Sequence, residues 1–531
     1  MNTQPPLATS PTPPSRLSRN ARIAAVALGG SIATLLLVVA VSFLRAADDG
    51  LAAAPSPSRS PAPSLVANPT RAPSPSPVAP ASPTPPGAPG ATPTPSPPTE
   101  TVSFPVRGYA SSVLMTPGPS GGLYVAAPAD DGTVALSLVG TDGVVAPGWP
   151  IRLASGCTAL LTASDSTLRA ICDGTPDGEG LQAPVTRIFG FDSGGRPLRG
   201  WPADVDGSMY EWGAPMAHID GVDLTLVVRV YQGDDVPEGT PESVQLVRVD
   251  GTGKIQVSDP IEFACCDIGV VPGPGIAYML NRDYFGDGST QVTARDVDGI
   301  RWQTSIDSVV SNPAFDDEGN AYFSGWRVDS RTNQVVVIDP TGNVTLATPD
   351  LPIEVAFGYD GAGPEYPAAP LVAGDGSFAV YSNVDGSSIL AFDRQGHPRA
   401  GWPFNSALRI AEHGFCGSGE TGCGTFHVRP RFGKDGTLYI AYQPGDPDAG
   451  QLEVGSLMPV RRDSTVPPRW PVMLRKDGAM FWDLVVGNDG GVWALAAEPE
   501  GTERYSATLL SVAPDKTVRG RITIVEPPRA R

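Results

Sequence analysis

Histidine, basic charge and helical periodicity are all scarce in this sequence, and each shortage removes a class of function. The four histidines are His218, His397, His413 and His427, and no G-x-S-x-G elbow accompanies them, so the usual mark of a seryl nucleophile is missing. Six cysteines are present without a single CxxC pair, and with so few histidines they do not fit a tetrahedral zinc site. "NRDYFGDGST" at 281–290 and "ARDVDG" at 294–299 set carboxylates beside glycine turns. Neither has the D-x-[DN]-x-[DN]-G spacing that converges oxygens on a calcium ion. Lys and Arg number 37 against 56 Asp and Glu, for a formal charge of −19. Residues 1–45 carry four arginines and no acid, so the deficit falls almost wholly on the chain from 104 onward. Such a surface repels phosphate backbones, which excludes nucleic acid as a partner and suits an exported, soluble domain.

What is abundant is glycine, 61 residues, and proline, 58, and they are unevenly placed. Ile23 to Leu44 is 22 residues without an ionisable group, long enough to cross a bilayer. Arg16, Arg19 and Arg22 precede it, so the short tail 1–22 is expected to stay in the cytoplasm. A cleaved signal peptide is the alternative, with Ala46-Ala47 and Ala52–Ala54 as small residues for cleavage. Signal cores run to about 7–15 apolar residues, shorter than this one, and the reading here is an uncleaved single-pass anchor. Residues 45–103 alternate Pro with Ala, Ser and Thr and hold almost no large apolar side chain. They predict a disordered, polyproline-rich linker whose span from Pro55 to Pro98 is at most about 130 Å.

Residues 104–531 repeat with a period of roughly fifty residues. A glycine turn leads into a short apolar strand in "SGGLYVAA" (120–127), "EGNAYFSG" (318–325), "GDGSFAVY" (374–381), "KDGTLYIAY" (434–442) and "NDGGVWAL" (488–495). A second strand ends in an acidic turn in "RIFGFDSGG" (187–195), "QLVRVDGTG" (245–253), "QVVVIDPTG" (334–342) and "SILAFDRQG" (388–396). An exit strand follows, headed by GWP at 148–150, 200–202 and 401–403, or by RWP at 469–471. Worn versions are "FPV" at 104, "DPIEF" at 259, "WQTSI" at 302 and "DLPI" at 350. Alternating strands of four to six residues between Gly, Asp and Pro turns, with no competing amphipathic helix, define antiparallel β-structure. The fold class is therefore all-β, a β-propeller of eight blades with seven as the alternative, preceded by one transmembrane helix and the disordered linker. Exit-type strands at both ends, "TVSFPV" and "GRITIV", suggest that one terminus completes a blade begun by the other.

These repeats resemble bacterial pyrroloquinoline-quinone-like propeller repeats, with their D-x-x-G-x-x-x-W after a strand, and FG-GAP-type surface propellers, with their GWP exits. The adjacent Cys265 and Cys266 gain interest from that resemblance, because quinoprotein alcohol dehydrogenases hold a vicinal disulfide near their cofactor. The calcium ligands, aspartate base and stacking tryptophan of those enzymes find no residue-by-residue match in this chain. Cys157 and Cys172 flank a hairpin-like stretch, and Cys416 and Cys423 bracket the loop "GSGETG", so both pairs are disulfide candidates outside the membrane. Trp149, Trp201, Trp402 and Trp470 recur at one point of the repeat, which marks them as wedges between blades and not as a ligand-binding ring.

The sequence thus describes a cell-membrane protein with a cytoplasmic N-terminus and an extracytoplasmic propeller. Its expected work is binding of an unidentified protein or glycan without catalysis, through insertions such as 173–186, 230–243 and 411–427. No cofactor is expected. The rival reading is an enzyme, either a quinoprotein-like oxidoreductase or a propeller-type hydrolase or lyase.

Overall fold

The computed structural model describes residues 103–524 with short interruptions, the longest being 106–112, 175–183, 210–216, 231–241, 359–365 and 417–422. The tail 1–22, the membrane span 23–44, nearly all of the linker, and Cys265 and Cys266 lie outside the described residues. Among the described residues the only helix is the 3-10 turn Pro119–Gly121, and no helix is long and apolar enough to cross a membrane. All other regular structure is antiparallel strand.

Eight sheets of four to six strands follow one another along the chain, which settles the blade number at eight. Blade 1 comprises Leu114–Pro117, Leu123–Pro128, Val134–Val139 and Ile151–Leu153; blade 2 comprises Cys157–Thr162, Leu168–Asp173, Val185–Phe191 and Ala203–Asp206. In blade 3 the central pair Asp223–Arg229 and Glu242–Val249 is flanked by split outer partners, Ser208–Met209 with Ala217–Asp220 and Ile255–Val257 with Ile261–Phe263. Blade 4 runs Ile268–Pro272, Ala277–Arg282, Thr290–Asp296 and Gly299–Ile306. Blade 5 opens with Val309–Val310 and Ala314–Phe315, followed by Ala321–Arg327, Thr332–Ile338 and Val344–Ala347. Blade 6 is Leu371–Val372, Phe378–Ser382, Ser387–Phe392 and Phe404–Ser406, and blade 7 is Arg431–Phe432, Leu438–Tyr442, Ser456–Val460 and Val472–Met473. Met480–Val486, Val492–Glu500, Arg504–Val512 and Val518–Thr523 make blade 8.

Burial explains why the repeat reads as it does. Second strands such as Phe378–Ser382 and Leu438–Tyr442 are buried along their whole length, because a neighbouring blade covers each face. Fourth strands sit at the rim and alternate, as in Ala203–Asp206, where Ala203 and Val205 are buried and Asp204 and Asp206 exposed. One exit strand differs from the sequence reading. In blade 5 the outgoing strand is Val344–Ala347, starting directly after the Asp339–Asn343 turn, and "DLPI" at 350 lies beyond it.

The termini share blade 8. Ser103–Pro105 pairs with Arg504–Ser506, while Val518–Thr523 pairs with the rest of the same strand, Thr508–Val512. The N-terminal strand therefore extends an outer strand that the C-terminal segment already supplies. Side chains close the ring as well. Val113, Leu123, Val125 and Val139 of blade 1 form one core with Val485, Trp493, Leu495 and Leu509 of blade 8.

The GWP motif has a local physical cause. Gly148, Gly200 and Gly401 all have φ between 85° and 89°, the left-handed region that L side chains avoid. A Cβ at Gly148 would also collide with the carbonyl oxygen of Gly194, and one at Gly200 with that of Thr252, both in the acidic turn of the next blade. The tryptophan then completes the contact. Trp149 Nε1 donates to the Ser193 carbonyl at 3.0 Å, Trp201 Nε1 to Gly251 at 3.5 Å and Trp402 Nε1 to Arg462 at 2.9 Å. The Trp–Pro bond that follows is cis in all four copies of the motif. Trp302 Nε1 makes the same type of bond to the Pro340 carbonyl at 2.9 Å, joining blades 4 and 5.

A second set of donors works closer to the axis. Tyr124 hydroxyl donates to Ser166, Tyr322 to Gly376 and Tyr439 to Gly490, each a backbone carbonyl in the first turn of the following blade. Trp493 Nε1 donates to Gly121 at 2.9 Å and so bonds the last blade to the first. Burial, with Asp192 and Asp165 nearby, pushes the Tyr124 hydroxyl up to about 12, so it remains a donor at physiological pH. The junction of blades 3 and 4 is apolar, built from Val227, Val244, Leu246, Ile261, Val270 and Ala277.

Trp149→Phe keeps the wedge and deletes one cross-blade hydrogen bond, and is expected to cost about 1 kcal/mol of stability. Trp149→Ala also leaves a cavity against Tyr124 and Phe191, and should cost about 3–5 kcal/mol. Guanidinium unfolding of the two variants checks both values.

Candidate functional site

The antiparallel meander divides the connections between two ends of the ring. Turns joining first to second and third to fourth strands gather at one end, where the cross-blade donors act. At the other end lie the links between second and third strands and from each blade to the next. That end holds all three accessory hairpins: Phe357–Gly358 with Tyr366–Pro367, Glu412–Cys416 with Cys423–His427, and Gly445–Asp446 with Gln451–Leu452. The chain segments 173–186, 230–243 and 411–427 also connect strands at this end. Most of 173–186 and 230–243, and the tip of 411–427, lie outside the described residues.

At the turn end the acids build turns. Asp192 accepts from the amides of Gly194 and Arg196, Asp250 from Thr252 and Lys254, and Asp393 from Gln395 and His397. Burial alone would raise Asp339, but four donors from Asn343 and Thr341 outweigh it and hold its carboxyl at about 2. The two acidic stretches weighed as calcium loops behave alike. Asp287 accepts from the Ser289 amide, and Asp296 accepts from Asp298 and Gly299 and pairs with Arg301. Among the described residues no three His, Cys, Asp or Glu side chains converge to hold a metal ion.

The other sequence-predicted residues fall into place as follows. Cys157 and Cys172 face each other across the first two strands of blade 2 and are joined by a disulfide. Cys416 and Cys423 are opposite one another in the register of their hairpin. In that same hairpin His413 pairs with Phe426 and His427 with Glu412, so the two histidines stand at alternating register positions and are not partners. His397 is an exposed turn residue whose Nδ1 lies 3.1 Å from Asp393. Trp470 packs into the core between blades 7 and 8.

The first strands of adjacent blades pack against each other around the axis, so their remaining open side faces it. Nearly all their described residues are uncharged, as in LMTP, CTALLT, IGVVP and LV. Blades 7 and 8 break the pattern. Arg429 and Arg431 lie in or beside the first strand of blade 7, and Asp483 is in that of blade 8. Arg429 Nη2 donates to the Pro370 carbonyl of blade 6 at 3.0 Å. Arg431 reaches the other way, with Nε donating to the Leu484 carbonyl at 3.1 Å and Nη2 lying 3.7 Å from Asp483 Oδ1. The side chains of Arg431 and Asp483 keep 43% and 36% of their surface. Even so, desolvation raises the Asp483 carboxyl above its ordinary range despite Arg431, as expected for groups facing an axis enclosed by protein. Burial, with Arg431 nearby, holds Arg429 down at about 10. Sequence reasoning missed this trio, whose only mark was "VRPRF" at 428–432, a first strand with two cations where its siblings have none.

The opposite arc of the axis is aromatic. His218 of blade 3 meets Phe315 of blade 5 edge to face, ring centroids 5.1 Å apart. Burial, only partly offset by Asp220, holds His218 down at about 4. These axial residues do not fit a calcium-bound quinone. The described acids there are Asp220, at the end of its strand, and Asp483, already engaged by Arg431.

Fold and axis together define an eight-bladed β-propeller. No protein-family model matches the chain, and no curated protein matches its sequence. Solved structures similar to it include a quinoprotein alcohol dehydrogenase-like protein from Bacteroides thetaiotaomicron, 9% identical over 70% of this chain and 90% of that one, TM-score 0.32. Virginiamycin B lyase from Staphylococcus aureus is 11% identical over 64% of this chain and 94% of its own, TM-score 0.30. A eukaryotic initiation factor is 11% identical over 75% of this chain and 97% of that one, TM-score 0.40. At these identities and TM-scores none of the likenesses carries an argument about this chain.

His218 supplies a pH test. It is neutral in the fold, whereas the unfolded chain gains the proton as pH falls through 6.5. Its contribution is therefore full above pH 6.5 and lost progressively toward pH 4, amounting to about 2–3 kcal/mol. His218→Phe is expected to flatten the loss of stability between pH 7 and 4.5 by about that amount, measured by urea unfolding at each pH.

Proposed function

We propose that this chain is a single-pass membrane protein whose propeller stands outside the cell and binds a protein or glycan through the loop-bearing end of the ring. One observation carries the binding reading: the two ends differ in kind. The turn end is occupied by cross-blade hydrogen bonds and by aspartates that cap their own turns. The other end holds every accessory hairpin among the described residues and the long connections, which can vary without disturbing the blades. The uncharged stretch Ile23 to Leu44, the arginines before it and the Pro-rich spacer after it support the membrane anchor. On this reading 1–22 is cytoplasmic, 23–44 crosses, 45–103 is the spacer and 104–531 is the exported domain.

Two experiments test the two parts. Proteinase K added to intact cells expressing the full chain should remove the propeller and leave an N-terminal tag protected; a protected propeller contradicts the topology. Full chain in nanodiscs, applied to glycan and peptide arrays, should show saturable binding that disappears when 175–183, 231–241 and 417–422 are shortened. Binding that survives all three deletions, or turnover of an arrayed glycan, contradicts the loop-end reading.

A further inference from the structure

We infer that the axis holds a subsite for the carboxylate group of a small molecule, formed by Arg429 and Arg431 of blade 7 and tuned by Asp483 of blade 8. This site is on the ring axis and stands whether or not the loop end binds a macromolecule.

The charge balance is the first ground. Two guanidiniums and one carboxylate leave one net positive charge, in a domain that is otherwise strongly acidic and on an axis lined mainly by uncharged first strands. Two cations two residues apart are about 6–7 Å apart at the backbone, and partial burial makes their repulsion costly. Asp483 offsets that cost only in part, because it lies 3.7 Å from Arg431 and is itself desolvated. A single incoming negative charge would balance the trio.

The donor supply is the second ground. A guanidinium carries five N–H groups. Arg429 spends one on the Pro370 carbonyl, and Arg431 spends one on the Leu484 carbonyl besides its long contact to Asp483. Those bonds anchor Arg429 to blade 6 and Arg431 to blade 8, while other N–H groups of each guanidinium remain available. A planar fork held in this way matches a planar carboxylate. A phosphate dianion fits less well, since its second charge would be unpaired within an acidic domain.

A purely structural role would ask only for a donor to each carbonyl, and the two readings separate by experiment. Full chain in detergent is titrated calorimetrically, at constant ionic strength, with glutarate, benzoate and glucuronate, each against its neutral counterpart, and with inorganic phosphate. We expect saturable binding of at least one carboxylate and none of its neutral counterpart. Arg429→Gln and Arg431→Gln should each weaken it about tenfold or more, the loss typical of one charge-assisted hydrogen bond. Asp483→Asn keeps both arginines and should tighten binding several-fold, a gain that a structural role does not give. No saturable carboxylate binding by the wild type, tighter binding of phosphate than of any carboxylate, or no gain in Asp483→Asn overturns the proposal. The last readout stands even where an arginine variant fails to fold.

Discussion

The contact between a glycine-tryptophan corner and the acidic turn of the following blade is the constraint on which the ring depends. A lone four-stranded sheet with both faces apolar has no stable existence in water, so each blade must be covered twice. Apolar packing supplies the cover but not the angle. The angle is set where Gly148 meets the turn at Gly194, and Gly200 the turn at Thr252, at distances that admit no side chain. Trp149, Trp201 and Trp402 then lock the corner with one indole hydrogen bond apiece to the next blade. Where tryptophan is absent an aliphatic residue fills the place: Leu346 lies over Gly396, and Ile522 over Gly143.

This division of labour shapes the rest of the molecule. Because the glycine-tryptophan fastening lies at one end, that end consists of short turns, and short turns with φ-positive glycines select aspartate to accept their amides. Much of the negative charge is thus a consequence of turn construction. The other end lacks the glycine-tryptophan corner, although Arg282 donates there from blade 4 to the Val310 carbonyl and to Asn312 of blade 5, and it carries the hairpins and long links. The axis belongs to neither end, and its charged residues are concentrated on blades 7 and 8, facing an aromatic arc at His218 and Phe315.

Much of the fold was legible because the repeat imposes the same local demands eight times. "SILAFDRQG" reads as a buried strand followed by an aspartate turn, and Ser387–Phe392 with Asp393 takes that form. The tryptophan pattern pointed to blade contacts, although its hydrogen-bond partners, some 44–60 residues ahead, have no mark in the local sequence. Blade 5 departed from the reading because its exit strand has no tryptophan and starts a few residues early, at Val344. The axial trio was nearly invisible. Arg429 and Arg431 belong to the start of blade 7 and Asp483 to the first strand of blade 8, and only the packing of one blade on the next brings the pair of cations beside the acid. His218 likewise gave no sign that blade 5 would supply its ring partner.

Cross-blade hydrogen bonds are the fasteners of the ring, and their most exposed case is the seam between the last blade and the first, which the chain spans only by way of the short strand Ser103–Pro105. Amide hydrogen exchange of Trp493→Phe tests it most directly. Loss of the bond to Gly121 should speed exchange in Leu114–Pro117, Leu123–Pro128, Met480–Val486 and Val492–Glu500, while blades 3 to 5 keep wild-type protection. Unchanged protection at the seam, or an equal loss in every blade, would contradict it.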